Sequence, residues 1–187
     1  QLCEALSYAH SAGVVHRDIK PANLVRTRQG RLKVLDFGLA LMNKAREEVE
    51  EAFGASQAEL KTRLGEELVA AGTPGYMAPE QFFGLEQDER TDIWAVGVTL
   101  FELLTGERPY TLPIEEASVL ELAWPDGCRV SEAVRQAVQG CLTFSLDART
   151  PSMEALGMQL TAALDVLPAP RIEHTSEAQR TTLVALE

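Results

Sequence analysis

The sequence predicts a mainly α-helical domain carrying one small β-hairpin. Three observations lead there. Four stretches, 1–13, 91–105, 131–142 and 151–167, carry apolar residues at helical spacing or on every side. Residues 23–35 read as two short strands around a Gln29-Gly30 turn. The chain has 187 residues and is 45 % apolar, the profile of one globular domain. A domain of this size buries roughly 70 % of the surface that its unfolded chain exposes.

The elements follow in order. On the first helix, predicted over 1–13, Leu2, Leu6 and Ala9 share a face, and Gly13 suits the stop position. Cys3 and His10 on it read as packing or surface residues. Residues 14–15 lead into a loop at His16, and the hairpin that follows would bring Asn23 and Asp36 side by side. The charged tract 43–53 has a thin apolar stripe of Val49, Ala52 and Phe53. Ser56 and Glu59 then resemble a capping box ahead of Leu60, Leu64 and Leu68. A solvated helical insert is expected over 44–69. Residues 72–80 are too rich in Gly and Pro for a long regular element, and 81–84 make a turn or short helix. The stretch 91–105 is apolar nearly all round, which marks a buried, central helix, with Thr91 and Asp92 expected as its cap. Residues 112–123 suggest a short helix. On 131–142 the buried side is Val134, Ala137, Val138 and Leu142. Pro151 is expected to open the last helix, with Met153, Leu156, Leu160, Ala163, Leu164 and Leu167 as its buried stripe. Residues 168–187 read as a linker or truncated tail.

Bulk properties exclude several classes. The net charge of −11 argues against nucleic acid, whose binding domains are usually basic, and favours solubility or basic partners. Cys3, Cys128 and Cys141 form no CxxC pair, so neither a disulfide framework nor a zinc knuckle is indicated, and a reducing, cytoplasmic compartment is expected. No apolar run approaches the roughly 20 residues of a membrane span, and no signal peptide opens the chain. The chain begins at Gln1, inside a predicted helix and without an initiator Met, so a fragment of a longer protein is expected.

The chemistry concentrates in residues 16–36. His16-Arg17-Asp18-Ile19-Lys20-Pro21-Ala22-Asn23 packs a potential base, two cations and an amide into eight residues. Asp36 follows thirteen residues after Asn23. Two oxygen ligands at neighbouring strand ends suit a hard divalent cation. Three motifs then stand in order: His16-Arg17-Asp18 with Asn23, Asp36-Phe37-Gly38, and Ala78-Pro79-Glu80. Together they match the signature set of the protein kinases. Over 1–167 the chain resembles the C-terminal lobe of that family, a mainly α fold with a small hairpin. The pattern 74–81 is similar to bacterial, eukaryotic-like serine/threonine kinases.

The resemblance implies an ATP- and Mg²⁺-dependent transfer of phosphate to a protein substrate. It implies that Asp18 orients the acceptor hydroxyl and takes its proton, that Lys20 sits by the transferring phosphate, and that Asn23 and Asp36 hold Mg²⁺. Lys20 and Thr73, which would contact Asp18 and Lys20, point to a Ser or Thr acceptor. By the same resemblance, Asp92 accepts hydrogen bonds from the catalytic loop, Glu80 pairs with Arg149 in the interior, and His16 is a packed residue and not a base. The activation segment would run over 36–80, with 44–69 as an insert. Arg17 would pair with a phosphate on it, Thr62 being the first candidate ahead of Ser56 and Thr73. The N-terminal lobe has no counterpart in the 187 residues, which contain neither a Gly-rich loop nor the strand-borne Lys with its helix-borne Glu partner. The chain alone is therefore expected neither to bind ATP tightly nor to transfer phosphate. The alternative is a pseudokinase or scaffold on the same fold; the joint presence of Asp18, Lys20, Asn23 and Asp36 favours the enzyme. Ala78-Pro79-Glu80 and Gly72-Thr73 argue for a peptide acceptor over a small molecule.

Overall fold

The computed structural model describes residues 1–37, 74–110 and 122–165. Helix α1 spans Leu2–Ser11. Gly13 follows it with φ 72°, a left-handed conformation open to glycine, and its N–H donates to the His10 carbonyl at 2.9 Å. A single 3₁₀ turn at Pro21–Asn23 feeds strand β1, Leu24–Arg26, which pairs antiparallel with β2, Leu32–Val34. Leu24 stands opposite Val34 and Arg26 opposite Leu32, around a turn where Gly30 has φ 76°. The Leu35 N–H extends the ladder to the Asn23 carbonyl at 2.8 Å. Asp36 is thus the next residue after the partner of Asn23. The predicted hairpin is present, with Asn23 in the turn that precedes its first strand.

Four further helices complete the described residues: α2 at Pro79–Phe82, α3 at Arg90–Thr105, α4 at Glu132–Cys141 and α5 at Met153–Asp165. No helix among the described residues is long and apolar enough to cross a membrane. The central place of α3 follows from its sequence, since residues 91–99 are all buried. One side of it, with Ile93 and Val96, packs with Leu6 of α1, Ile19, Cys141 of α4, and Met153 and Leu156 of α5. The other, with Trp94, Val98 and Phe101, packs with Ala78, Val138 and Leu142. Gly97 sets the approach of α4: a Cβ there would lie 2.5 Å from the Cβ of Cys141.

Several expectations need correction. Thr91 and Asp92 do not cap α3; the helix begins at Arg90 with Glu89 before it, and both residues turn inward instead. Pro151 is not the first residue of α5. The Ser152 hydroxyl accepts the Ala155 N–H at 3.1 Å and caps a helix that starts at Met153. Leu164 is 60 % exposed, because the buried stripe of α5 narrows at its end to Ala163. A helical period shows which positions share a face but not how wide the neighbour is. The proposed insert at 44–69, most of the proposed helix at 112–123, and the tail lie outside the described residues.

Two buried polar clusters join these elements. Arg149 forms two bonds to the Glu80 carboxylate, Nη1 to Oε1 at 2.7 Å and Nη2 to Oε2 at 3.0 Å. Its remaining donors reach the carbonyls of Thr143, Arg90 and Phe144, so all five N–H groups are used. The guanidinium also lies over the Trp94 ring, and the Thr91 hydroxyl donates to Glu80 Oε1 at 2.9 Å. In the second cluster the fully buried Asp92 carboxylate accepts three bonds. The His16 N–H and the His10 Nε2–H reach Oδ2 at 2.8 Å each, and the Arg17 N–H reaches Oδ1 at 2.7 Å. His10 is therefore neither a mere packing residue nor a surface one.

Two outcomes follow. Arg149→Met strands the Glu80 charge in the interior and lowers the unfolding free energy by about 3–5 kcal/mol in urea titration. Asp92→Asn turns one acceptor into a donor facing a buried N–H, at about 1–3 kcal/mol. Amide hydrogen exchange at His16 and Arg17 rises in that variant; unchanged protection at both amides would contradict this anchoring.

Candidate active site

Residues 16–23 form a loop whose backbone is held from two sides. Arg17 has φ 69°, a left-handed conformation that costs a non-glycine residue about 1–2 kcal/mol. It is stabilised because its N–H is bound by Asp92 while its carbonyl accepts the Gln81 Nε2–H at 3.0 Å. The same Gln81 amide accepts the Ala78 N–H on Oε1 at 3.0 Å. One side chain thus ties the segment before α2 to the loop.

His16 is fully buried beneath this loop. Its Nδ1 lies 3.2 Å from the Asp18 N–H, which can only donate, and its Nε2 lies 2.9 Å from the Leu35 carbonyl, which can only accept. These partners select the neutral tautomer with the proton on Nε2. Both ring nitrogens are consumed, and the ring packs 4.5 Å from that of Phe37. His16 joins the loop to the hairpin and has no nitrogen left for proton transfer.

Asp18, Lys20 and Asn23 come together directly. Lys20 Nζ stands 2.8 Å from Asp18 Oδ2, and Asn23 Nδ2 donates to the same oxygen at 3.0 Å. Asn23 Nδ2 also donates to the Asp18 main-chain carbonyl at 2.8 Å. Neither side-chain contact uses Asp18 Oδ1. The Asp18 side chain is 13 % exposed and that of Lys20 19 %, so the pair is enclosed but reachable. Asn23 is buried, and with its NH₂ engaged its amide oxygen is available as a ligand atom. Asp36 is exposed, with φ 64°, a conformation Asp tolerates better than most residues. Two oxygen donors on adjoining chain segments fit Mg²⁺, which keeps waters and substrate phosphates in its shell. Among the described residues no group of three or more His, Cys, Asp and Glu gathers into a protein-only metal site.

Of the residues singled out from sequence, Asp18, Lys20 and Asn23 are joined, Asp36 is carried beside them by the hairpin, and Thr73 lies outside the described residues, as do Ser56 and Thr62. His10 and Gln81 were missed. His10 had a signal, standing four residues after buried Leu6 on the same helix face. Gln81 had half of one: its bond to the Ala78 N–H is a local cap contact three positions away, while its bond to the Arg17 carbonyl is fixed only by tertiary approach.

Comparisons with known proteins show which family the chain belongs to. A family model described as the protein kinase domain matches residues 1–160. The serine/threonine-protein kinase PknD of Protochlamydia amoebophila is 34 % identical over 168 residues, covering 83 % of this chain and 17 % of that protein. The serine/threonine-protein kinase pkn3 of Myxococcus xanthus is 35 % identical over 180 residues, covering 87 % of this chain and 30 % of that protein. The probable serine/threonine-protein kinase PknB of Corynebacterium glutamicum is 39 % identical over 109 residues, 58 % of this chain and 15 % of that protein. The chain therefore spans less than a third of the length of these relatives. The chain is a member of the protein kinase family, similar to serine/threonine kinases and to bacterial ones among them.

Proposed function

We propose that the chain is the C-terminal lobe, over 1–167, of an active protein serine/threonine kinase, with 168–187 as a linker. The observation that supports this most is the treatment of Asp18. Lys20 and Asn23 both bind Oδ2, which orients the carboxylate and leaves Oδ1 to receive a proton. In this reading Asp18 Oδ1 accepts the hydrogen of a Ser or Thr hydroxyl, and holds that oxygen in line as its bond to phosphorus forms. Lys20 supplies a fixed positive charge beside the carboxylate, where negative charge gathers on the transferring group. Asn23 has two roles: its NH₂ positions Asp18, and its oxygen, with Asp36, would hold the divalent cation. Bound ATP with Mg²⁺ supplies the phosphoryl group and an ADP leaving group. Thr73 would complete the acceptor side.

The cleft that clamps a nucleotide needs more than these residues, since the 187-residue sequence has no Gly-rich loop in the form the family uses. The isolated chain is expected to show no micromolar ATP affinity by calorimetry, and measurable turnover by it would remove this half of the proposal. In the full-length protein, Asp18→Asn reduces phosphate transfer to a Ser/Thr peptide by about 10²–10⁴-fold, the usual contribution of a positioned base, with its melting temperature unchanged. Retained transfer in that variant would take Asp18 out of its role.

A further inference from the structure

The 3₁₀ turn Pro74–Tyr76 and the residues just past α3 carry a charged group that the reaction as proposed does not use. Arg108 is exposed and lies directly over Gly75. A Cβ built on Gly75 would meet Arg108 Nη1 at 1.7 Å and Cζ at 2.9 Å, so the guanidinium occupies the space a side chain would fill. Among the described residues no carboxylate lies within salt-bridge distance of it. Of the acidic residues on this surface, Glu107 is exposed beside Arg108 in the chain, and Glu102 is already engaged: the Tyr76 hydroxyl donates to its Oε2 at 2.5 Å. Burial first, and Glu102 second, push the Tyr76 hydroxyl up to about 12, so it stays protonated and keeps that bond at neutral pH. A cationic ligand therefore finds Glu102 partly satisfied, while an anionic one finds an open guanidinium fork.

The position of this fork relative to the loop is bounded by the chain. Ala78 stands three positions after Gly75, and Gln81 bridges Ala78 to the Arg17 carbonyl with contacts of 3.0 Å on each side. Chain reach and one amide side chain limit the separation of Gly75 from Arg17 to roughly 18 Å. An extended peptide covers that in about five residues.

We propose that Arg108, seated on Gly75, recognises a carboxylate or phosphate side chain of the acceptor peptide within about five residues of the hydroxyl that receives phosphate. The proposal rests on the kinase reading above and deepens it to a substrate class: acceptors flanked by acidic or already phosphorylated residues. The planar guanidinium matches both anions in two-point contact, and the missing side chain of Gly75 leaves the space that it occupies.

The experiment uses the full-length protein and three sets of Ser peptides, with Asp, Asn or Lys placed within five positions on either side of the acceptor. The wild type is expected to prefer an Asp set over the Asn set by about fivefold in kcat/KM, carried mainly by KM, as suits a partly exposed charge pair. Arg108→Glu should reverse the preference towards Lys. Gly75→Ala, which displaces the guanidinium but keeps the charge, should bring the Asp set close to the Asn set. Turnover of the Asn set and the melting temperature should stay unchanged in both variants, which a purely structural role would not allow. Equal turnover of the Asp and Lys sets by the wild type, or an Asp preference that survives Arg108→Glu, overturns the proposal. So does a preference that appears only after phosphatase treatment, since the guanidinium would then be serving a phosphate of its own chain. Failure to phosphorylate the Asn set at all would instead sink the kinase reading, and this proposal with it.

Discussion

The buried carboxylate of Asp92 is the constraint on which the rest of the site depends. A fully enclosed charge is costly unless donors surround it, and here three N–H groups do so from two different elements. His10 comes from α1, while His16 and Arg17 belong to the loop. Asp92 itself sits in the first turn of the most deeply buried helix, so its position is set by apolar packing along α3. The loop thereby takes its place from the core. The left-handed backbone of Arg17 is the local cost of that arrangement, of a kind usually found where geometry serves function.

Thr91 and Asp92, neighbours in the chain, serve two different partners. Thr91 binds Glu80, and Asp92 binds Arg17. Gln81, next to Glu80, binds the Arg17 carbonyl. These contacts close a ring through α3, α2 and the loop, and the Glu80–Arg149 pair attaches it to the segment leading into α5. A buried ion pair is a poor source of net stability but a good means of fixing a register, because the pairing is strongly directional and misplacement strands a charge. The ring holds the backbone of Arg17, just before Asp18, between two supports, the Asp92 carboxylate and the Gln81 amide.

On the hairpin side the support is of another sort. His16 joins the loop to Leu35 through a tautomer set by its partners, and the ladder ends with Leu35 bonded to Asn23. Asn23 and Asp36 are thus located by backbone pairing, while Asn23 also binds Asp18. Asn23, Asp36 and Asp18 therefore share one scaffold. The surface carrying Arg108 adjoins the same scaffold through the turn at Gly75 and through Gln81.

Much of this was legible in the sequence. The hairpin was written in the Gln29-Gly30 turn, the central helix in an apolar run that no amphipathic surface helix would carry, and Asp18, Lys20 and Asn23 in a spacing of five residues. Local periodicity and turn chemistry act over a few residues and can be read without a fold. What they could not decide was the partner of each polar group. Thr91 and Asp92 looked like caps because Thr and Asp usually cap; only the approach of Glu80 and of the loop turned them inward. His10, Gln81 and the seat of Arg108 on Gly75 are pairings across 82, 64 and 33 residues of chain. Contacts of that range depend on how the core brings helices together, and packing distance, such as the close approach that Gly97 allows α4, exists only in the folded structure.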